Sequence, residues 1–141
     1  TTGRARRCGW FDAVVVRHAT QVNGLSSLAV TKLDVLDGCK ELKLCIGYRH
    51  GGVLYKTMPA DLDILTDCVP VYQRMKGWTA ATTGTTSYKQ LPVEAKRYLA
   101  RIEELAQCRI DMISTGSKRA ETIMLRNPLD CSQRRSRLTG H

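Results

Sequence analysis

The chain has 141 residues, of which 43% are hydrophobic and 25% charged, the ordinary usage of one globular domain and not that of a disordered chain. No apolar run approaches the ~20 residues that a membrane span needs, and no signal-peptide pattern opens the chain. The formal charge of +9 gathers at the two ends: Arg4, Arg6 and Arg7 give residues 1–10 a charge of +3, and residues 126–141 carry another +3.

The opening TTGRARRCGW is polar and basic and reads as a loop. Its first residue, Thr1, is not Met, which fits a piece of a longer protein. Phe11, Val14, Val15, Ala19 and Val22 then recur at helical spacing, with Asp12 in front and Gly24 just beyond, predicting an amphipathic helix. Ser27–Thr31 predicts a short strand that breaks into a turn at KLDVLDG. Leu42, Leu44, Ile46 and Tyr48 alternate with Lys43, Cys45, Gly47 and Arg49, the pattern of a half-buried strand. The His50-Gly51-Gly52 turn makes it the first arm of a β-hairpin running back through Met58.

A short helix is expected from Pro59-Ala60-Asp61 to near Cys68, and extended chain over Val69–Met75. Gly77–Ser87, dense in Thr and Gly, reads as a surface loop. Pro92 suits the first turn of a helix whose apolar face is Ala95, Tyr98, Leu99, Ile102, Leu105 and Ala106. Short strands at Ile110–Ile113 and Thr122–Leu125 flank the polar loop STGSKRAE, and residues 130–141 carry no apolar period and read as a tail. Helices and strands alternate loosely, so the class is α/β or α+β.

Three loops carry the chemistry. In Thr1-Thr2-Gly3-Arg4-Ala5-Arg6-Arg7, hydroxyls, a glycine and alternating guanidiniums suit carboxylates or phosphates, because Arg grips such oxyanions bidentately and keeps its proton. A solvated basic arm, or a contact to nucleic-acid phosphates, fits the same residues. Thr31-Lys32-Leu33-Asp34 leaves the carboxyl end of a predicted strand, where ligands of open α/β sheets collect. A carboxylate there can accept two parallel hydrogen bonds from guanine's N1–H and exocyclic amine, a donor pair that adenine lacks, while a Lys stem lies over the base. A bare turn capped by Asp34 is the simpler reading. Ile113-Ser114-Thr115-Gly116 is a second strand running into a glycine loop whose N–H groups could meet a base carbonyl or a phosphate, or form a plain turn. The pairing of the two loops favours function over either alone.

The other candidates read as structure. His18, His50 and His141 form no catalytic constellation, Trp10 and Trp78 suit packing, and Asp61, Asp63 and Asp67 suit the wet face of a short helix. The six cysteines show no CxxC pair and no zinc-finger spacing with His, and read as reduced thiols. No GxxxxGK[ST] phosphate loop is present.

Taken in order, TTGRARRCGWFD, NGLSSLAVTKLDVLDG, the Gly77-Trp78 pair and YLARIEELAQCRIDMISTGSKRAETIMLRNP resemble the carboxyl-terminal third of adenylosuccinate synthetase, in its bacterial form, from Thr1 to about Leu129. The resemblance implies an α/β fold, the carboxyl-terminal part of a P-loop-NTPase-like mixed sheet with flanking helices and a β-hairpin. It divides the chain into a synthetase segment, 1–129, and a disordered or non-native tail, 130–141.

The implied activity is that of a cytoplasmic, GTP-dependent ligase that joins IMP and L-aspartate into adenylosuccinate with release of GDP and phosphate, using Mg²⁺. Phosphorylation of the IMP 6-oxygen makes it a leaving group that the aspartate amine displaces at C6. Carried over, Thr1, Thr2, Gly3, Arg4, Ala5 and Arg6 would form the aspartate loop, with Arg4 also reaching IMP and Arg6 near the GTP phosphates. Lys32, Leu33 and Asp34 would hold and read guanine, and Ser114, Thr115 and Gly116 would complete the base pocket. Ser117 stands where many members have Pro.

The family's phosphate loop, catalytic residues and Mg²⁺ ligands lie in its amino-terminal part, so no catalytic or metal residue is expected here and these residues alone should be inactive. The full-length enzyme is expected to be a homodimer without nucleic-acid or membrane partners. Two rivals remain, a small basic nucleic-acid-binding domain and a standalone guanine-nucleotide module, separated by base selectivity and salt dependence.

Overall fold

A computed structural model describes Gly3 and residues 8–127. The expected tail over 130–141 lies outside the described residues. β1 (Phe11–Asp12) passes directly into α1 (Ala13–Val22). Asp12 is its N-cap, with Oδ1 accepting from the Val14 and Val15 N–H groups at 2.9 and 3.2 Å. The second carboxylate oxygen accepts from the Tyr48 hydroxyl at 2.6 Å, so one side chain starts the helix and ties it to a strand.

That strand is β3 (Glu41–His50). β5 (Val69–Lys76) runs antiparallel along one edge from Glu41 to Arg49. The other edge is shared by β1, parallel at Leu44 and Cys45, and by β4 (Val53–Tyr55), the hairpin arm. Gly51 and Gly52 take φ of +53° and +80° at the hairpin turn, which residues with a Cβ resist. The simple alternation read from the sequence breaks at Cys45–Gly47, where the register against β5 shifts. Leu42 and Leu44 enter the main core, whereas Cys45 and Tyr48, three residues apart, join Val14 in a second cluster.

The second sheet has the order β2 (Leu28–Val30), β6 (Ile110–Ser114), β7 (Thr122–Met124). β2 and β6 are parallel, with Val30 opposite Ile113, and β7 returns antiparallel. Between the sheets packs α3 (Val93–Ala106), whose six predicted apolar residues are all buried. Five of them, Ala95, Tyr98, Leu99, Ile102 and Leu105, share one core with Leu42 and Leu44 of the first sheet and Ile110, Ile113 and Ile123 of the second. Each fully buried Leu or Ile contributes roughly 1.5–3 kcal/mol. The short α2 (Leu62–Asp67) is capped by Asp61 and buries nothing fully, so its acidic residues lie on a wet helix as read from the sequence.

Two expectations need correction. Trp10 is 39% exposed and packs less than a core tryptophan. The stretch 77–87 is not simply a surface loop: Gly77, Trp78 and Thr82 are buried, because a carboxylate far along the chain supplies acceptors for this polar segment.

Candidate functional site

The parallel pairing of β2 and β6 puts their carboxyl ends side by side, so the loops that begin at Thr31 and at Ser114 leave the same sheet margin. Two sequence-predicted segments, more than 80 residues apart, are thereby brought together.

In the first loop the chain turns through Lys32, which sits in the left-handed region at φ 58°, ψ 47°, and enters a 3-10 turn over Leu33–Leu36. Among the described residues only Lys32 and Gln107 are non-glycine residues with positive φ. Gln107 closes the C-terminus of α3, an ordinary use of that conformation. Lys32 has no such excuse, and the strain of about 1–2 kcal/mol marks a backbone shaped for something other than stability. Its side chain is exposed, while Leu33 is buried in the core and anchors the turn. Asp34, the next residue, is half-buried. Its Oδ1 is shut off from solvent yet has no hydrogen-bond partner among the described residues. A buried, unpaired carboxylate oxygen costs on the order of 1–3 kcal/mol or more, so it calls for a donor beyond the described residues.

In the second loop the polar groups are spent locally. The Ser114 hydroxyl donates to the Gly116 carbonyl at 2.8 Å. Thr115 is fully buried, its N–H donating to the Glu121 carbonyl at 2.9 Å and its hydroxyl to Thr85 O at 2.8 Å. The Glu121 carboxylate accepts from the Lys118 N–H at 2.8 Å, and a Cβ at Gly116 would collide with it. The Ser and Thr side chains of this loop are thus occupied in holding its shape.

A residue that the sequence did not single out holds the first loop. Asp37 Oδ1 accepts from Trp78 Nε1 at 2.8 Å and the Thr82 hydroxyl at 2.7 Å, while Oδ2 accepts from the Thr82 N–H at 2.7 Å. Burial raises the pKa of this carboxyl, but the hydrogen bonds from Thr82 and Trp78 outweigh it and leave the value below the ordinary 3.8. The only local hint was a second aspartate in KLDVLDG.

Among the other nominated residues, Gly3 is exposed with φ +58° and open space where a Cβ would sit. Thr1, Thr2, Arg4, Ala5 and Arg6 lie outside the described residues. The segment they belong to joins the body just before the Asp12–Tyr48 anchor. No group of three or more His, Cys, Asp or Glu side chains among the described residues is placed to hold a metal ion. A cleft of about 250 Å³ beside Trp78 is bordered by the Lys76–Glu94 ion pair at 3.2 Å and contains none of the nominated residues. No helix among the described residues is long and apolar enough to cross a membrane.

The adenylosuccinate synthetase family model matches residues 1–123. The chain is 54% identical over 128 residues to the adenylosuccinate synthetase of Halorhodospira halophila and 52% identical over 128 residues to that of Trichlorobacter lovleyi, in each case over 91% of this chain and 30% of the relative. The fold superposes with a TM-score of 0.81 on fully ligated adenylosuccinate synthetase from Plasmodium falciparum, at 32% identity, covering 88% of this chain and 30% of that one. The chain therefore spans less than a third of the length of the relatives it matches. Within that span, the chain belongs to the adenylosuccinate synthetase family.

Proposed function

We propose that this chain supplies the guanine-reading loops and the aspartate loop of a GTP-dependent ligase that joins IMP and L-aspartate into adenylosuccinate, GDP and phosphate. The observation that carries the proposal is the buried Oδ1 of Asp34, without a partner among the described residues, at the exit of β2 beside the exit of β6. Guanine presents two adjacent donors, N1–H and the exocyclic amine, and a single carboxylate accepts both. Adenine presents an acceptor at N1 and cannot satisfy it. The exposed Lys32 stem would cover the base, and the Gly116 main chain would meet its carbonyl. The side chains of Leu33, Ser114 and Thr115 hold the two loops in shape.

Thr1, Thr2, Gly3, Arg4, Ala5 and Arg6 would grip the aspartate carboxylates, with Arg4 extended to IMP and Arg6 to the GTP phosphates. The charge and fork geometry of Arg support that role. Mg²⁺ belongs to the proposed reaction, but the described residues offer no ligand set of three or more His, Cys, Asp or Glu side chains for it. We place the segment in the carboxyl-terminal third of the parent chain, a reading supported by the order of its motifs and the lack of a GxxxxGK[ST] loop. An upstream phosphate loop in the same reading frame would test it. A homodimeric, cytoplasmic parent without nucleic-acid partners completes the proposal.

The intact protein carrying these residues, given IMP, aspartate, Mg²⁺ and either GTP or ATP, should form adenylosuccinate with GTP far better than with ATP. The Asp34→Ala variant should lose that preference. Preference unchanged in the variant would overturn the base-reading assignment. The 141-residue chain alone should give no turnover.

A further inference from the structure

Among the described residues, no side-chain hydrogen bond joins the two base loops directly. They are linked by a third segment, residues 77–85, which lies between them. At one end Trp78 and Thr82 donate three hydrogen bonds, all of 2.8 Å or less, to the Asp37 carboxylate. Asp37 in turn donates its own N–H to the Asp34 carbonyl at 3.1 Å, and Gly38 N–H donates to Trp78 O at 3.1 Å. At the other end Gly84 N–H donates to Thr115 O at 3.3 Å, and the Thr115 hydroxyl donates to Thr85 O. A turn closed by Thr85 N–H to Thr82 O at 3.0 Å joins the two ends. Thr82 and Thr115 are both fully buried, so these bonds are shielded from water. The brace is seated on the core, with the Trp78 ring 6.0 Å from Tyr98 of α3 and a Cβ at Gly77 excluded by the Cys39 carbonyl.

We propose that Asp37 and Thr82 are positioning residues for base specificity: through the 77–85 brace they fix the spacing between the Asp34 carboxylate and the Ser114–Gly116 loop, and so set how sharply guanine is told from a purine lacking one donor. The inference rests on the guanine reading above and extends it to residues that touch no ligand. A carboxylate in a strained 3-10 turn discriminates only if its oxygens stay within hydrogen-bond tolerance of both donors. Hypoxanthine keeps N1–H but lacks the amine, so the ratio of GTP to ITP use reports alignment of the second bond alone.

The test is made in the intact protein carrying these residues. Asp37→Asn puts an amide donor against donors from Trp78 and Thr82. It should raise KM for GTP with little change in kcat, and lower the GTP-over-ITP preference by about tenfold, the value of one well-placed charged hydrogen bond. Thr82→Val, which keeps shape and N–H but removes the hydroxyl, should move the preference the same way by less. Thr82→Ser should restore it. A brace that is merely structural would lower the folded fraction and kcat while leaving the GTP-to-ITP ratio untouched, and that result in Thr82→Val overturns the inference even if Asp37→Asn does not fold. Asp34→Asn separates the two readings. If it abolishes the preference while the Asp37 and Thr82 variants leave it intact, the guanine site stands and the brace fails. If Asp34→Asn has no effect, the guanine reading itself fails.

Discussion

The loops at the exits of β2 and β6 leave the same sheet margin from parallel strands, yet treat their polar side chains in opposite ways. At Ser114–Gly116 both hydroxyls find acceptors within the chain, and Thr115 is fully buried. At Lys32–Asp34 the backbone is strained, the lysine is left exposed and a buried carboxylate oxygen has no partner among the described residues. One loop is finished as a structure. The other is finished only when something brings it donors. Stability and recognition are thus separated between neighbours a few ångströms apart in the sheet, and substitutions should separate them too.

The largest effect is expected at Asp34. Beyond the loss of base preference, on the order of 100-fold or more for two hydrogen bonds to a charged acceptor, Asp34→Ala removes an unsatisfied buried oxygen. Its unfolding free energy in the absence of nucleotide should match or exceed that of the parent, measured by urea denaturation. A clear loss of stability would mean that the carboxylate serves the fold after all. Gly77→Ala tests the seat of the brace. The added Cβ meets backbone, the Cys39 carbonyl, which cannot swing aside, and should cost about 1–3 kcal/mol by the same assay.

Thr115→Val is isosteric but leaves the Thr85 carbonyl without its donor. A loss of about 1–2 kcal/mol is expected, with GTP still favoured over ATP because the reading carboxylate remains. Abolition of the preference by this change would erase the contrast between the loops. The smallest effect is on acid stability. Asp37 has a native pKa below 3.8, so its contribution is present at neutral pH and is lost as the pH falls through the native value. Asp37→Asn should therefore flatten the acid limb of a stability-against-pH curve, whereas an unchanged limb would show that its hydrogen bonds do not favour the charged form.

Much of the frame was legible from local pattern. The six apolar positions of α3 face the core because their spacing leaves no other face to bury, and Gly51-Gly52 closes a hairpin because both sites need positive φ. The alternation from Leu42 to Leu44 carried the first half of β3, but nothing in it announced the bulge that turns Tyr48 to the cluster of Cys45. The Thr-rich stretch after Gly77 reads as surface because its composition is polar. Its burial depends on Asp37, 45 residues before Thr82, and a pairing at that range has no local signature. The same holds for the site. Lys32, Asp34 and Ser114–Gly116 were visible as residue types after strands, whereas Asp37 and Thr82, which touch no ligand, become visible only as contacts.

A crystal structure of the intact protein with GDP bears most directly on the central claim. The account predicts both Asp34 carboxylate oxygens within about 2.7–3.2 Å of guanine N1 and the exocyclic nitrogen, with Thr115 still bonded to Thr85 and Glu121. Guanine bound elsewhere, with the Asp34 oxygen paired to the protein's own main chain, would contradict it.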